Sequence, residues 1–183
     1  MTKLSLSLSQ AVELLREARL DASTGLPEEL FLLISSLIPV PNVDLLITNE
    51  KNDILLARRN DCFFEKSWHI PGGCIRYGET MEERIQKTAL DELGCPVEFQ
   101  PRPLAVRSVW RGRNEGLKYP AERGHNIAVL FACRLPKNFH PDNGDKTEEQ
   151  NGFLRWFHTI PEDFMTIQHV YDDVLTPWIK KTR

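Results

Sequence analysis

Cysteine is scarce in this chain, positive charge is not in excess, and no apolar run is long. The 183 residues hold four cysteines (Cys62, Cys74, Cys95 and Cys133), widely scattered and with no CxxC pair. That spacing suits neither a structural zinc site nor a dithiol redox motif, and it reads as free thiols in a reducing cytoplasm. Lys and Arg number 23 against 26 acids, a formal net charge of −3, which is not the basic footprint of a general nucleic-acid binder. The greasiest stretch, Leu30 to Val40, is interrupted by two serines and a proline and falls short of the roughly 18–20 residues that a membrane span needs. The opening Met1-Thr2-Lys3-Leu4-Ser5 has no apolar h-region behind it, which argues against secretion. The expectation is a cytoplasmic protein with neither a nucleic-acid nor a membrane partner.

With 41% hydrophobic residues, the chain has the material for one well-packed domain. The first forty residues read helical. Ser9 is a candidate cap for a helix from Gln10 to about Leu20, and Leu26-Pro27-Glu28-Glu29 has the proline and acids of a second helix start, with Pro39 and Pro41 ending it. These helices form an N-terminal extension over residues 1–41, and the main domain covers 42–183. There, Val43 to Thr48, Ile54 to Arg58, Trp68 to Ile70, Leu104 to Trp110, Asn126 to Cys133 and Phe153 to Phe157 read as strands. A polar, arginine-bearing loop runs from Arg111 to Gly124; the basic stretch Arg107 to Arg123 is a candidate cover for phosphate and a stacking surface for a base or sugar, or else a solvated loop, and a C-terminal helix is expected near His169. Mixed strands with a few interspersed helices give an α+β or α/β sandwich.

One helix carries the chemistry. Thr80 and Glu83 form a capping box before Met81, and Gly94 stands where a left-handed cap would close the helix. Met81, Ile85 and Ala89 make an apolar stripe flanked by Leu93, with Arg84, Lys87, Asp91 and Glu83 off it. Glu92 falls on the stripe. A carboxylate aimed at a core is costly unless its charge is answered; a hard cation such as Mg²⁺ would answer it, and so would a basic partner. The preceding Pro71-Gly72-Gly73 turn exposes backbone carbonyls, and that of Gly73 is placed to share an ion with Glu92.

These residues together resemble the Nudix box, G-x5-E-x7-R-E-U-x-E-E-x-G-U, where U is a bulky aliphatic. Gly73, Glu79, Glu92 and Gly94 match it, and Asp91 holds the first position of the acidic pair. Lys87 stands in place of arginine, Thr88 in place of the first glutamate, Ala89 at the first aliphatic position and Cys95 at the last. The resemblance implies a Nudix-type α/β/α sandwich over roughly Asp44 to Phe157. The missing glutamate is shared with the GDP-mannose mannosyl hydrolase branch, which cleaves a sugar C–O bond. That branch implies Mg²⁺ (or Mn²⁺) held by the Gly73 carbonyl, Glu92 and Gln150. It also implies a substrate-contacting His125, a Lys87 that meets phosphate as a point charge rather than as a bidentate arginine, and a homodimer; apart from the resemblance, Arg58 and Arg59 at a strand end are candidates for phosphate or solvated charges. Two of its groups are absent: Asn151 stands where it has its general base, and Cys62 where it has an arginine.

Three functions follow from this pattern. The first is a Mg²⁺-dependent hydrolase of a nucleoside diphosphate sugar such as GDP-mannose, acting through Glu92, Asp91 and His125. The second is an ordinary pyrophosphohydrolase splitting a P–O bond, with Asp91 and Glu79 available to a second metal. The third is a non-catalytic module that binds a nucleotide sugar.

Overall fold

The computed structural model describes residues 7–61, 64, 66–110 and 125–179, the side chain of Trp110 excepted. The expectations placed on Cys62 and on the 111–124 loop lie outside these residues. Two helices come first, α1 (Leu8–Glu17) and α2 (Glu28–Leu37). The cap of α1 is Ser7 rather than Ser9: its hydroxyl accepts from the Gln10 N–H, and the Gln10 side chain returns the bond. None of the residues of α1 is buried.

Among the described residues, eight strands follow: β1 (Val40–Ile47), β2 (Ile54–Arg59), β3 (Ser67–His69), β4 (Gly72–Cys74), β5 (Glu98–Phe99), β6 (Ala105–Trp110), β7 (His125–Arg134) and β8 (Leu154–Phe157). One sheet runs β4-β1-β7-β5, with β6 also paired to β7; the other runs β3-β2-β8. β1 and β7 are parallel and every other pair is antiparallel, which gives the mixed α+β architecture. The box helix α3 (Met81–Leu93) lies on one side. On the other side lies a C-terminal strap made of a 3₁₀ turn (Thr166–Tyr171), α4 (Asp172–Leu175) and a second 3₁₀ turn (Thr176–Trp178). The continuous helix expected from His169 is thus broken into short turns, each fitted to a separate tether on the core.

β1 explains the layering. Its side chains alternate between faces: Val43, Leu45 and Ile47 pack with Ile85, Ala89 and Leu93 of α3, while Leu46 packs with Tyr171, Leu175 and Trp178 of the strap. Both faces are covered, so β1 reads as an apolar run rather than an alternating one. Two expectations on α3 need correction. Met81 is exposed, whereas Arg84 is 4% exposed, because its guanidinium turns back to Glu79 and buries its stem under that ion pair. Gly72–Cys74, read as part of a turn, is a strand of its own.

Ile85, fully buried between α3 and the sheet, supplies a check on this core. Its truncation to alanine is expected to cost about 2–5 kcal/mol in urea unfolding, with the far-UV spectrum unchanged.

Candidate active site

The box helix fixes two carboxylates in opposite states. Glu79 is locked: Arg84 Nη2 and Nε reach its two oxygens at 2.5 and 2.8 Å, and Lys87 Nζ lies 3.1 Å away. These cations hold its pKa down to about 2. Lys87, expected to meet substrate, is therefore spent on Glu79. Glu92 faces the sheet, and its carboxylate takes the Gly72 N–H. Burial pushes it up to about 7; Gly72 and the nearby Arg59 charge oppose the shift, while Asp44 and Asp91 add to it.

The strand register says which glycine serves Glu92. The Leu45 N–H donates to the Pro71 carbonyl, and the Ile75 N–H to that of Pro41. In an antiparallel ladder, bonded pairs alternate, so Val43 and Gly73, which are register partners, form the bonded pair between them. The carbonyl of Gly73 is thereby turned toward β1. Gly72 points the other way, toward Glu92. The expectation was Gly73; in this register it is the Gly72 peptide that turns to the Glu92 side.

Glycine is required at both positions. A β-carbon on Gly72 would collide with the Asp44 carboxylate and the Val43 carbonyl, and one on Gly73 would sit 2.6 Å from Thr88 Oγ1. Thr88 is 2% exposed, and its hydroxyl has no partner among the described residues.

Beside Gly72 opens a cavity of about 230 Å³. Its walls include Asn42, Asp44, His69, Asn126, Gln168 and Arg59. Asp44 accepts hydrogen bonds from Tyr171 Oη (2.6 Å) and Asn42 Nδ2 (3.0 Å). Burial nonetheless raises its pKa to about 6. The Oδ1 atoms of Asn42 and Asn126 are buried without partners among the described residues. Arg59 bonds Asp61 at 2.7 Å and lies over the Phe64 ring at 4.1 Å.

The remaining expected residues fall elsewhere. Arg58 points away from this cavity: it is buried, ion-paired to Asp163 at 2.5 Å and stacked on Trp68. Strand alternation turns its neighbour Arg59 to the cavity instead. Gln150 is exposed, with Oε1 accepting the Thr147 N–H at 2.6 Å within its own turn. Asn151 Oδ1 accepts from the Asn60 N–H. His125 is half-buried at the start of β7, opposite Trp110, and it is the adjacent Asn126 that lines the cavity. Asp91 is exposed on the outer rim of α3. Sequence reasoning passed over Asp44, His69, Gln168 and Tyr171. Asp44, a lone acid inside an apolar strand, was a legible signal.

A model of the NUDIX domain matches residues 38–168. The chain belongs to the Nudix family. It is 30% identical over 154 residues to the low-salt glycan biosynthesis protein Agl8 of Haloferax volcanii, a match covering 84% of this chain and 92% of that protein. Among solved structures, it superposes on a possible asymmetric diadenosine tetraphosphate hydrolase of Jonesia denitrificans with a TM-score of 0.57 at 16% identity, covering 80% of this chain and all of that one. An ADP-ribose pyrophosphatase of Streptococcus suis gives 0.50 at 20% identity, covering 75% and 89%. At these identities the two structures support the fold alone.

Nudix enzymes generally use Mg²⁺ or Mn²⁺. Among the described residues, no three His, Cys, Asp or Glu side chains converge as a ready-made cation cage. The donors that are present fit a hard cation all the same: the half-buried Glu92 carboxylate and the Gly72 carbonyl that the register turns away from β1 are both oxygen ligands, beside a cavity with room for water and substrate oxygens.

An acid whose pKa is raised by folding binds its proton more tightly folded than unfolded. The contribution of Glu92 is therefore most favourable below its unfolded value of 4.5 and declines as pH climbs through about 7. Glu79 behaves oppositely: its contribution is full above 4.5 and fades as pH drops toward 2. Without metal, Glu92→Gln should raise stability at pH 8 by on the order of 2 kcal/mol. Added Mg²⁺ should lift the thermal midpoint of the parent protein and leave that of the variant in place.

Proposed function

We propose that this Nudix protein hydrolyses a nucleoside diphosphate sugar, such as GDP-mannose, at the sugar C–O bond, with Mg²⁺ or Mn²⁺ as its cofactor. The observation that carries this reading is the chemistry of the cavity beside Gly72. Its oxygens come from Asn42, Asn126 and Asp44: Asn42 is held by its Nδ2 bond to Asp44, and the Oδ1 atoms of Asn42 and Asn126 have no partner among the described residues. Such a wall repels phosphate and takes a group rich in O–H donors, which is what a sugar presents. The glycan biosynthesis role in the name of the Haloferax volcanii relative agrees with it.

Glu92 and the Gly72 carbonyl hold the metal in this proposal. A divalent ion bound there neutralises charge on the departing diphosphate and acts as its Lewis acid. Thr88, where the box has a glutamate, contributes a hydroxyl rather than a second buried charge. Glu79 is committed to Arg84 and Lys87. This chain therefore offers fewer anionic ligands than a cluster that spreads charge over an attacked phosphorus would use, which favours attack at carbon. Arg59, fixed by Asp61 over Phe64, is the cation placed to meet the diphosphate.

Product analysis on GDP-mannose with Mg²⁺ decides the bond. GDP and free mannose are expected. GMP with mannose 1-phosphate would replace the proposal with P–O cleavage, and binding without turnover would leave a nucleotide-sugar-binding module. Glu92→Gln is expected to lower kcat by at least about 100-fold, while Arg58→Lys should leave kcat/KM within a few-fold.

A further inference from the structure

His69 closes β3, and its ring lines the cavity beside Gly72. It is 8% exposed. Its Nδ1 lies 2.9 Å from the Ile70 carbonyl oxygen. A carbonyl can only accept, so Nδ1 carries the hydrogen and Nε2 keeps a lone pair. The same carbonyl accepts from Gln168 Nε2 at 3.0 Å, and Gln168 Oε1 takes the Ile70 N–H at 2.7 Å. Ile70 lies just past the end of β3, and the Gln168 amide supplies both bonds that a neighbouring strand would have given it. Gln168 thus pins the carbonyl that sets the tautomer of His69.

Burial and the Arg59 charge bring the pKa of the ring down to about 4, so it is neutral at physiological pH. A neutral imidazole with Nδ1 committed has one thing to offer the cavity, an acceptor at Nε2. We propose that His69, locked by Ile70 and Gln168, is a specificity residue whose Nε2 accepts a hydrogen bond from a sugar hydroxyl of the bound nucleoside diphosphate sugar. This rests on the nucleotide-sugar reading above and adds a selector to it. The Asn126 acceptor belongs to a side-chain amide that can turn over; the imidazole, whose Nδ1–H is committed to the Ile70 carbonyl that Gln168 also holds, cannot present a donor at Nε2 instead. A site of this kind penalises a ligand lacking the hydroxyl, because the acceptor is then left buried and unpaired.

The test is equilibrium binding by calorimetry, with Ca²⁺ in place of Mg²⁺, of GDP-mannose and UDP-glucose against GDP and UDP. His69→Phe should weaken binding of the sugar nucleotide about 10- to 100-fold and leave the free diphosphate unchanged. His69→Gln, which keeps an acceptor oxygen, should fall between and serves should the phenylalanine variant not fold. In ¹⁵N spectra the ring should show the Nδ1–H tautomer, with the Nε2 resonance moved by GDP-mannose and not by GDP. Equal losses on sugar nucleotide and diphosphate, no loss on either, or the Nε2–H tautomer would overturn the role of His69. Failure of the parent protein to bind any sugar nucleotide would overturn the underlying reading as well, so the two failures are told apart by the parent alone.

Discussion

The close approach at Gly72 is the constraint from which the site is built. On one side of its α-carbon stands the Asp44 carboxylate, and on the other its N–H reaches Glu92. No side chain fits between them, so the backbone itself separates a buried acid from a half-buried one. Each would prefer a proton at that depth. Asp44 is calmed by Tyr171 and Asn42, each of which gives one of its oxygens a hydrogen bond. Glu92 has a single N–H from Gly72 and a distant share of the Arg59 charge. The imbalance makes Glu92, rather than Asp44, the acid left with coordination capacity.

The same helix shows how a neighbouring acid is removed from the chemistry. Glu79 is half a turn ahead of the helix start and is clamped by Arg84, one of the few buried cations in the domain. The pair ties the loop before α3 to the helix body and fixes where the helix begins. A buried, hydrogen-bonded ion pair of this type is costly to break from one side, since the remaining partner keeps its charge without compensation. The rigidity it gives the loop is what lets Gly72 and Glu92 be held in register across the turn.

Much of this was legible from residue order. The capping box at Thr80 and Glu83, the left-handed Gly94 and the span Met81–Leu93 were all readable, because they depend on local bonds alone. The inward turn of Glu92 followed from helical spacing. The choice between Gly72 and Gly73, and between Arg58 and Arg59, was not readable. Each depends on strand register, where a shift of one residue reverses every direction. Gln150 illustrates a different limit: resemblance placed it at the metal, but its turn with Thr147 engages its amide locally. The cavity wall was hidden for a third reason, since Asp44 meets Tyr171 across 127 positions of chain and Ile70 meets Gln168 across 98, and no local pattern reports such pairings.

Those long separations carry an implication for how the molecule comes into being. The strap supplies both the phenol that satisfies Asp44 and the amide that steadies Ile70, yet it is synthesised after every strand of both sheets. During translation the sheets and α3 are complete while the cavity still lacks one wall. The cavity wall is thus completed only once the strap has been made, and a protease that clipped the chain near Thr166 would leave Gly72 and Glu92 with their helix and sheets while opening the side lined by Asp44 and His69.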